Sequence, residues 1–201
     1  MTKHLPEDTR KEQILDAARR CFIDQGYSAT RMADIARRAG LSKGGVYFHF
    51  ASKRALFDAL VEQEYHLGVN FLEKVERESP DWRRLLERLA GHFLHFFRQR
   101  PDYPRFFMVM AEMAGRDESI RAMLSGIQEA YFSALERLLQ RGVDSGQLKP
   151  IDCRAVAKLL KGLLDAIEGY LAIGLELDTG RLLRSGVEMI AGGLLREGSG
   201  E

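Results

Sequence analysis

The chain has 201 residues, of which 45% are hydrophobic and 29% charged, and its formal net charge is +1. This hydrophobic content is enough for a packed core and too high for a disordered chain. No apolar run approaches the ~20 residues that span a bilayer, and the first residues lack the apolar stretch of a signal peptide. We therefore expect a cytoplasmic protein without a membrane partner. Cys21 and Cys153 have neither metal-ligand spacing nor a disulfide framework, so we expect free thiols and no metal or cofactor.

The charge is unevenly distributed along the chain. Residues 1–60 carry a net charge of +4 and the remaining residues −3. Between Ser28 and Arg54 there are six lysines and arginines, and the one acidic residue is Asp34. A local basic patch of this kind indicates a polyanionic partner at one end of the molecule, or else an ordinary solvated face.

Four helices with short turns are predicted in the first third of the chain. Capping residues precede each apolar stripe of helical spacing, and glycines follow the first two. The side chains expected to cap these helices are Thr9 (in a capping box with Glu12), Thr30, Ser42 and Ser52. The third helix is expected to run through Phe50, and the fourth is expected to be long.

The remainder of the chain is also predicted to be helical, because no stretch shows sustained period-2 alternation. The further helices are expected from Ser79-Pro80 onward, from Tyr103 to Ala114, from Glu118 to Val143, from Pro150-Ile151-Asp152 and from Thr179. This gives an all-α fold of about nine helices. A three-helix DNA-binding domain is expected at 1–55, including the start of the fourth helix, and a helical ligand-binding and dimerisation domain at 56–201.

The second and third helices form a candidate helix-turn-helix. Two short helices joined by a glycine-containing turn are typical of DNA recognition, where the second helix enters a major groove about 12 Å wide. Val46 and Phe50 are four residues apart and can anchor the third helix, whereas Lys43 and Tyr47 lie on another face. Two glycines after Lys43 would let the backbone approach DNA closely, although they also permit a simple loop.

Residues 30–60 (TRMADIARRAGLSKGGVYFHFASKRALFDAL) resemble the DNA-binding signature of the tetracycline-repressor (TetR) family, and the resemblance extends over about residues 9–65. It implies that the third helix faces bases and nearby phosphates. It also implies phosphate contacts for Tyr47, His49 and Lys53, with the last helped by a helix dipole, and a backbone cap for Thr30. The implied DNA-contacting residues are Thr30, Arg31, Ser42, Lys43, Gly44, Gly45, Tyr47, His49 and Lys53.

The middle of the chain is rich in phenylalanine and methionine, which suits a cavity for a lipophilic or aromatic molecule but also an ordinary core. The candidate ligand-binding residues are Phe93, Phe97, Phe107, Met110, Met113, Met123, Tyr131 and Tyr170. His92 and His95 do not supply a metal-ligand set. Asp165 and Glu168 lie in an apolar helix, where they can hydrogen-bond a ligand or face solvent.

The last two helices, at about 152–174 and 179–197, each carry two apolar rows. A helix with two apolar faces needs two partners, so we expect one face in the protomer core and the other in a homodimer. The alternative is that both faces are buried within one chain.

Taken with the family resemblance, these features predict a ligand-responsive transcriptional regulator. We expect a repressor that leaves a palindromic DNA operator when a small apolar effector binds. The alternatives are a helical ligand-binding module without DNA function and an all-helical enzyme. No nucleophile–base pair, paired carboxylates or phosphate loop favours the enzyme.

Overall fold

The computed structural model describes residues 6–77 and 81–195. The described residues form nine helices and no strand, apart from one isolated bridge between Leu148 and Leu195. The helices are α1 (Glu7–Gln25), α2 (Met32–Arg38), α3 (Lys43–His49), α4 (Lys53–Arg77), α5 (Trp82–Gln99), α6 (Tyr103–Arg116), α7 (Glu118–Asp144), α8 (Cys153–Ala172) and α9 (Thr179–Leu194). The all-α prediction is confirmed. None of the described helices has the length and apolar character needed to cross a membrane.

Short polar side chains fix the starts of most helices by accepting hydrogen bonds from first-turn N–H groups. The Ser42 hydroxyl accepts from the Gly45 N–H at 3.1 Å, and the Ser52 hydroxyl from the Ala55 N–H at 3.0 Å, as predicted. Four later helices are capped by aspartates: Asp81, Asp117, Asp152 and Asp178. The predicted start at Ser79-Pro80 lies outside the described residues.

Two predicted caps are wrong. Helix α1 begins at Glu7 rather than after Thr9, because Pro6 precedes it with a compatible backbone and acidic residues suit a helix N-terminus. Thr30 does not cap α2, whose N-cap is Arg31. The Thr30 side chain turns inward and donates to the carbonyls of Cys21 at 3.1 Å and Gly26 at 2.8 Å. Thr30 therefore ties the α1–α2 loop to α1.

One buried cluster spans the N-terminal helices and the following region. It contains apolar residues of α1, α2, α3 and α4 together with Phe106 and its neighbours on α6. The rings of Phe57 on α4 and Phe106 on α6 are 6.1 Å apart between centroids. The predicted boundary at 55/56 thus falls near the start of α4, and no break in the core accompanies it.

A second cluster joins α4, α5, α7 and α8. Within it, Trp82 at the start of α5 packs closely against Gly142 near the end of α7. A Cβ at Gly142 would lie 2.4 Å from the Trp82 indole, so this position requires glycine. The packing fixes the end of α7 and hence the loop that leads to α8.

Helices α8 and α9 each bury one face and expose another. On α9, Val187 is buried, whereas Leu182 and Met189 are exposed. On α8, Ala157 is buried, whereas Leu163 is exposed. The alternative in which both faces are covered within one chain is wrong for the described residues, and the predicted C-terminal limit at 197 lies outside them.

Lys53, the first residue of α4, holds the α1–α2 loop. Its ammonium Nζ donates to the carbonyls of Tyr27 at 2.6 Å, Ser28 at 3.1 Å and Thr30 at 2.9 Å. It also lies 4.4 Å from the centroid of the Tyr27 ring. An ammonium has three N–H donors, so these bonds use all of them. Burial lowers the pKa of Lys53.

His92 on α5 packs against α4. Its imidazole stacks on the Phe71 ring with centroids 3.5 Å apart and planes 4° apart. Burial, with a smaller contribution from His95, lowers the pKa of His92 below its ordinary value of 6.5. The neutral imidazole therefore acts as an aromatic packing group.

We expect Lys53→Met to lower the free energy of unfolding by roughly 1.5–3 kcal/mol, the range for hydrogen bonds to charged groups. Methionine keeps the apolar stem but leaves three carbonyls without their donor. Urea denaturation measures the change. Lys43→Met is the matched control, because Lys43 is exposed on α3, and surface changes of this kind cost less than about 0.5 kcal/mol. Equal free energies of unfolding for the two variants would contradict a stabilising role for the Lys53 hydrogen bonds.

Stability is expected to fall as the pH drops from about 7.5 to 5, in part because of His92. With the folded-state pKa of His92 lowered, the unfolded chain binds more protons below about pH 6.5, so protonation favours unfolding there. His92→Phe should reduce the slope of unfolding free energy against pH, because it removes this titrating imidazole. A slope unaltered in His92→Phe would show that this imidazole does not contribute.

Candidate nucleic-acid interface and internal cavity

Helices α2 and α3 have seven residues each and meet at a tight turn. Gly40 has φ +65°, a left-handed conformation that favours glycine. The Leu41 N–H donates to the Ala36 carbonyl at 2.9 Å, and the Gly40 N–H to the Arg37 carbonyl at 3.2 Å. These two bonds form a Schellman ending that terminates α2 and sets the direction of α3.

Helix α3 has an inner and an outer face. Val46 is fully buried on the inner face and holds α3 against the N-terminal bundle. Lys43, Tyr47 and Phe48 are exposed on the outer face, with the Lys43 Nζ 5.7 Å from the centroid of the Tyr47 ring. The outer face therefore combines a cation, a hydroxyl and an apolar ring.

Gly44 and Gly45 lie within α3, so the helical prediction is confirmed and the loop alternative is wrong. A Cβ at Gly44 would meet only the Ser42 hydroxyl, at 4.0 Å, and a Cβ at Gly45 would make ordinary contacts. Packing within the chain therefore does not require either glycine. Their effect is to leave the first turn of α3 without side chains that would hold a ligand away from the backbone.

Four of the six basic residues predicted to form a patch are engaged within the chain. Their partners are Asp34 for Arg37, Asp24 for Arg38, Asp58 and Asp117 for Arg54, and the three loop carbonyls for Lys53. Arg31 and Lys43 are exposed and take part in no ion pair between described residues. The positive charge available to a partner is thus concentrated at the starts of α2 and α3.

Two other residues predicted to contact DNA are wholly or partly buried. Thr30 is only 2% exposed and faces α1, so we exclude it from the candidate surface. His49 is half-buried, with its ring edge-on to Phe48 at 5.1 Å. Phe48 itself is 84% exposed and was absent from the predicted set. Its register could have indicated it, because Val46 and Phe50 define the inner face and Phe48 lies off it.

A partly open cavity of about 220 Å³ lies between α4, α5, α6, α7 and α8. Aromatic and aliphatic side chains supply most of its wall, and α8 adds two charged residues. Its lining residues are Val61, Phe93, Tyr103, Phe107, Met110, Ala111, Leu124, Ile127, Gln128, Tyr131, Lys161, Leu164 and Glu168.

The predicted ligand-binding residues divide into three groups. Phe93, Phe107, Met110 and Tyr131 line the cavity, and Tyr170 lines an adjoining groove. The residues that line neither are Phe97, Met113 and Met123. Met113 is buried in the first core cluster and Met123 packs against it, because both are turned toward the N-terminal bundle.

Among the polar residues of the cavity wall, Glu168 was predicted from the sequence to hydrogen-bond a ligand or face solvent, whereas Lys161 and Gln128 were not predicted. Lys161 and Glu168, seven residues apart on one face of α8, are 9% and 5% exposed. Lys161 pairs with Asp165 and lies 5.3 Å from the centroid of the Tyr131 ring. The Gln128 Oε1 is buried and accepts no hydrogen bond from the described part of the chain. The i, i+7 spacing of two charges in an apolar helix was the available signal.

The adjoining groove, of about 530 Å³, lies between α5, α8 and α9 and is lined almost entirely by apolar side chains. Four residues border both spaces: Phe93, Tyr131, Lys161 and Leu164. The cavity and the groove are therefore neighbours separated by these side chains.

Two contacts connect the cavity region to α4, the helix that follows α3. The Tyr131 hydroxyl lies so close to α4 that a Cβ at Gly68 would be 1.2 Å from it. At the start of α4, the Arg54 guanidinium donates to Asp117 at 3.1 Å and Ser119 at 2.9 Å, next to the cap of α7. Helix α7 thus contacts α4 at the middle of α4 and, through its N-terminal cap, at the start of α4.

Comparison with known proteins agrees with this geometry. Residues 14–60 match the model of the family described as bacterial regulatory proteins, tetR family. The chain is 29% identical to the uncharacterized HTH-type transcriptional regulator YfiR of Bacillus subtilis, over 80% of this chain and 79% of that protein. It is 26% identical to the fatty acid metabolism regulator protein of B. subtilis, over 76% and 78%.

A solved structure shares the fold over nearly the whole length. SmeT, the repressor of the Stenotrophomonas maltophilia multidrug efflux pump SmeDEF, superposes with a TM-score of 0.73 at 27% identity, covering 94% of this chain and 92% of that one. The helix-turn-helix, the helical C-terminal region and these similarities together assign the protein: it belongs to the tetR family of bacterial transcriptional regulators.

Proposed function

We propose that the protein is a homodimeric repressor that binds a palindromic operator through α3 and leaves it when a small lipophilic effector occupies the internal cavity. The observation that carries the proposal is the outer face of α3. There an exposed lysine side chain and the bare backbone at two glycines face outward from a helix that Val46 anchors to the core. A regulator is favoured over an enzyme, because the relatives are themselves named as regulators.

The proposed DNA contacts follow from this exposure. Lys43 can donate to a guanine edge or a phosphate, and the Tyr47 hydroxyl and His49 ring to phosphates. The Phe48 ring suits the methyl group of thymine. Gly44 and Gly45 let the backbone come close, Ser42 holds the first turn, and Arg31 lies at the start of α2.

The family resemblance implies that Lys53 contacts a phosphate, but we propose a different role for it. Its three donors are bound to loop carbonyls, so a phosphate would have to displace one of them. We propose that Lys53 supports DNA binding by holding the loop that precedes α2, and that Lys43 supplies the cationic contact.

The exposed faces of α8 and α9 are the proposed dimer interface. The large apolar side chains exposed there are Leu159, Leu163, Tyr170, Ile173, Leu182 and Met189. Glycines accompany them, and a Cβ at Gly162, Gly169, Gly186 or Gly193 would meet nothing within 4 Å. Glycine in a helix costs about 1 kcal/mol relative to alanine. Close approach of a second copy, forming a four-helix bundle, gives these glycines a role.

A twofold dimer would present two α3 helices to half-sites one turn of DNA apart, about 34–36 Å, or a multiple of that. An effector that fits the cavity better in one arrangement of α7 would alter α4 through the Tyr131 and Arg54 contacts and so reset this spacing. Complete switching requires about 10⁴-fold different affinity for the two arrangements. The names of two relatives, a fatty acid metabolism regulator and an efflux-pump repressor, support an effector of lipophilic type.

Lys43→Ala is expected to weaken operator binding and to flatten discrimination between operator variants, since it removes the exposed cation of α3. The slope of log affinity against log salt should fall by about 0.9 if one phosphate contact is lost. Fluorescence anisotropy with duplexes from the region upstream of the protein's own gene measures both quantities. Lys74→Ala, an exposed lysine farther along α4, is the matched control. If the wild-type protein showed no salt-sensitive binding to any duplex, the proposal that it is a DNA-binding repressor would be refuted.

Met189→Glu is expected to convert the dimer to a monomer, because it places a charge in the apolar interface. Sedimentation equilibrium reads the oligomeric state directly. Met108→Glu introduces the same charge at an exposed methionine of α6, outside the proposed interface, and should remain dimeric. Dimeric Met189→Glu, or monomeric wild-type protein, would exclude this interface.

A further inference from the structure

The two charged residues that line the internal cavity already have partners within the chain. Lys161 forms an ion pair with Asp165, one helical turn along α8, and its ammonium lies over the Tyr131 ring. Glu168, on the same helix, also interacts with another group of the chain. A charged ligand would lose its hydration here and would have to compete for a counter-ion that is already engaged, which is costly. The wall therefore favours a neutral ligand.

The amide of Gln128 on α7 is the polar group of the wall that calls for a ligand. Its side chain lines the cavity, and its Oε1 is buried and accepts no hydrogen bond from the described residues. A buried acceptor without a donor costs free energy, which a ligand donor recovers. The same amide carries an NH₂ group beside the oxygen, so a hydroxyl, which both donates and accepts, suits it well. Gln128 thus favours a ligand with one O–H or N–H group.

The shape and size of the cavity suit a small aromatic body. Aromatic rings attract one another in edge-to-face and offset arrangements, beyond the gain from buried area. The cavity holds about 220 Å³, and an apolar cavity of about 150 Å³ is enough for benzene. One substituted ring or two fused rings therefore fit. The aromatic side chains of the wall are those of Phe93, Tyr103, Phe107 and Tyr131.

The cavity can be filled without disturbing the proposed dimer. Its lining residues include none of the exposed apolar side chains assigned to that interface, such as Leu163 or Met189. A ligand confined to the cavity therefore does not compete with a second copy of the chain for the same surface.

We propose that the effector is a neutral aromatic compound of one or two rings with a single O–H or N–H donor, and that Gln128 is the residue that recognises this donor. The donor binds the Gln128 Oε1, and the ring lies among the aromatic side chains of the wall. This inference rests on the proposed effector role of the cavity and specifies the chemistry that the cavity selects.

The test compares four probes of similar size built on one ring. Para-ethylphenol carries a donor, para-ethyltoluene replaces the hydroxyl by a methyl group, and para-methylbenzoate and para-methylbenzylamine carry opposite charges. Calorimetric titration of the full-length protein without DNA measures binding near pH 7, where a phenol is neutral, and operator release is measured separately. We expect para-ethylphenol to bind the wild-type protein about tenfold or more tighter than either charged probe.

Gln128→Met, which keeps the length of the side chain, tests the polar contact. It should lower the ratio of the affinities for para-ethylphenol and para-ethyltoluene about tenfold, as expected for one lost hydrogen bond. The ratio cancels any change in packing that affects both probes. Gln140→Met makes the same substitution at an exposed glutamine of α7 outside the cavity wall and is the matched control, with the ratio retained.

Each outcome bears on a different part of the inference. Tighter binding of a charged probe than of para-ethylphenol, with operator release, would overturn the neutral ligand and leave the effector role standing. A ratio that Gln128→Met leaves intact would refute recognition by Gln128. Binding of para-ethylphenol without operator release would support the ligand class and overturn the effector role. Failure of all four probes to bind, while operator binding stays salt-sensitive, would overturn both. The wild-type comparison decides the ligand class even if a variant fails to fold.

Discussion

The protein depends on α4 being packed on both sides. Toward the N-terminus, Phe57 of α4 belongs to the cluster that anchors α3 through Val46; toward the C-terminal region, it meets Phe106 of α6. Close-packed side chains transmit displacement because they leave no space to absorb it. The proposed DNA-binding surface and the region that holds the cavity are therefore packed against the same helix.

At the proposed DNA-binding end, most basic side chains are engaged by partners within the chain. A count of basic residues suggests a broad patch, yet most of those side chains find carboxylates or carbonyls of their own. Surface ion pairs of this kind contribute little to stability, but they do reduce the charge offered to a partner. What remains at Arg31 and Lys43 is localised at two helix starts. Such a focus suits orientation on DNA better than diffuse attraction, because phosphate contacts fix the register.

In the cavity, as on the surface, some charged side chains are paired within the chain and only a few polar atoms face a binding partner. Lys161 and Asp165 compensate each other at its edge, whereas Glu168 and Gln128 present oxygen atoms to its interior. In an apolar environment, each polar group restricts what can bind far more than an additional methylene would. In the proposed function, a few buried polar atoms set the selectivity among apolar effectors, and the aromatic walls supply affinity.

The sequence by itself determined the helices, the caps of α3 and α4, the helix-turn-helix and the two-faced character of the last helices. Helical periodicity, capping and turn glycines act over a few residues and can therefore be read locally. Only the tertiary structure decided that Thr30 faces inward, that Lys53 holds a loop and that Met113 belongs to the core. Each of these depends on which distant residue lies opposite, as carbonyls 23 to 26 positions away do for Lys53. Local patterns fix which face of a helix is apolar, but the partner of that face is chosen by packing over the whole chain.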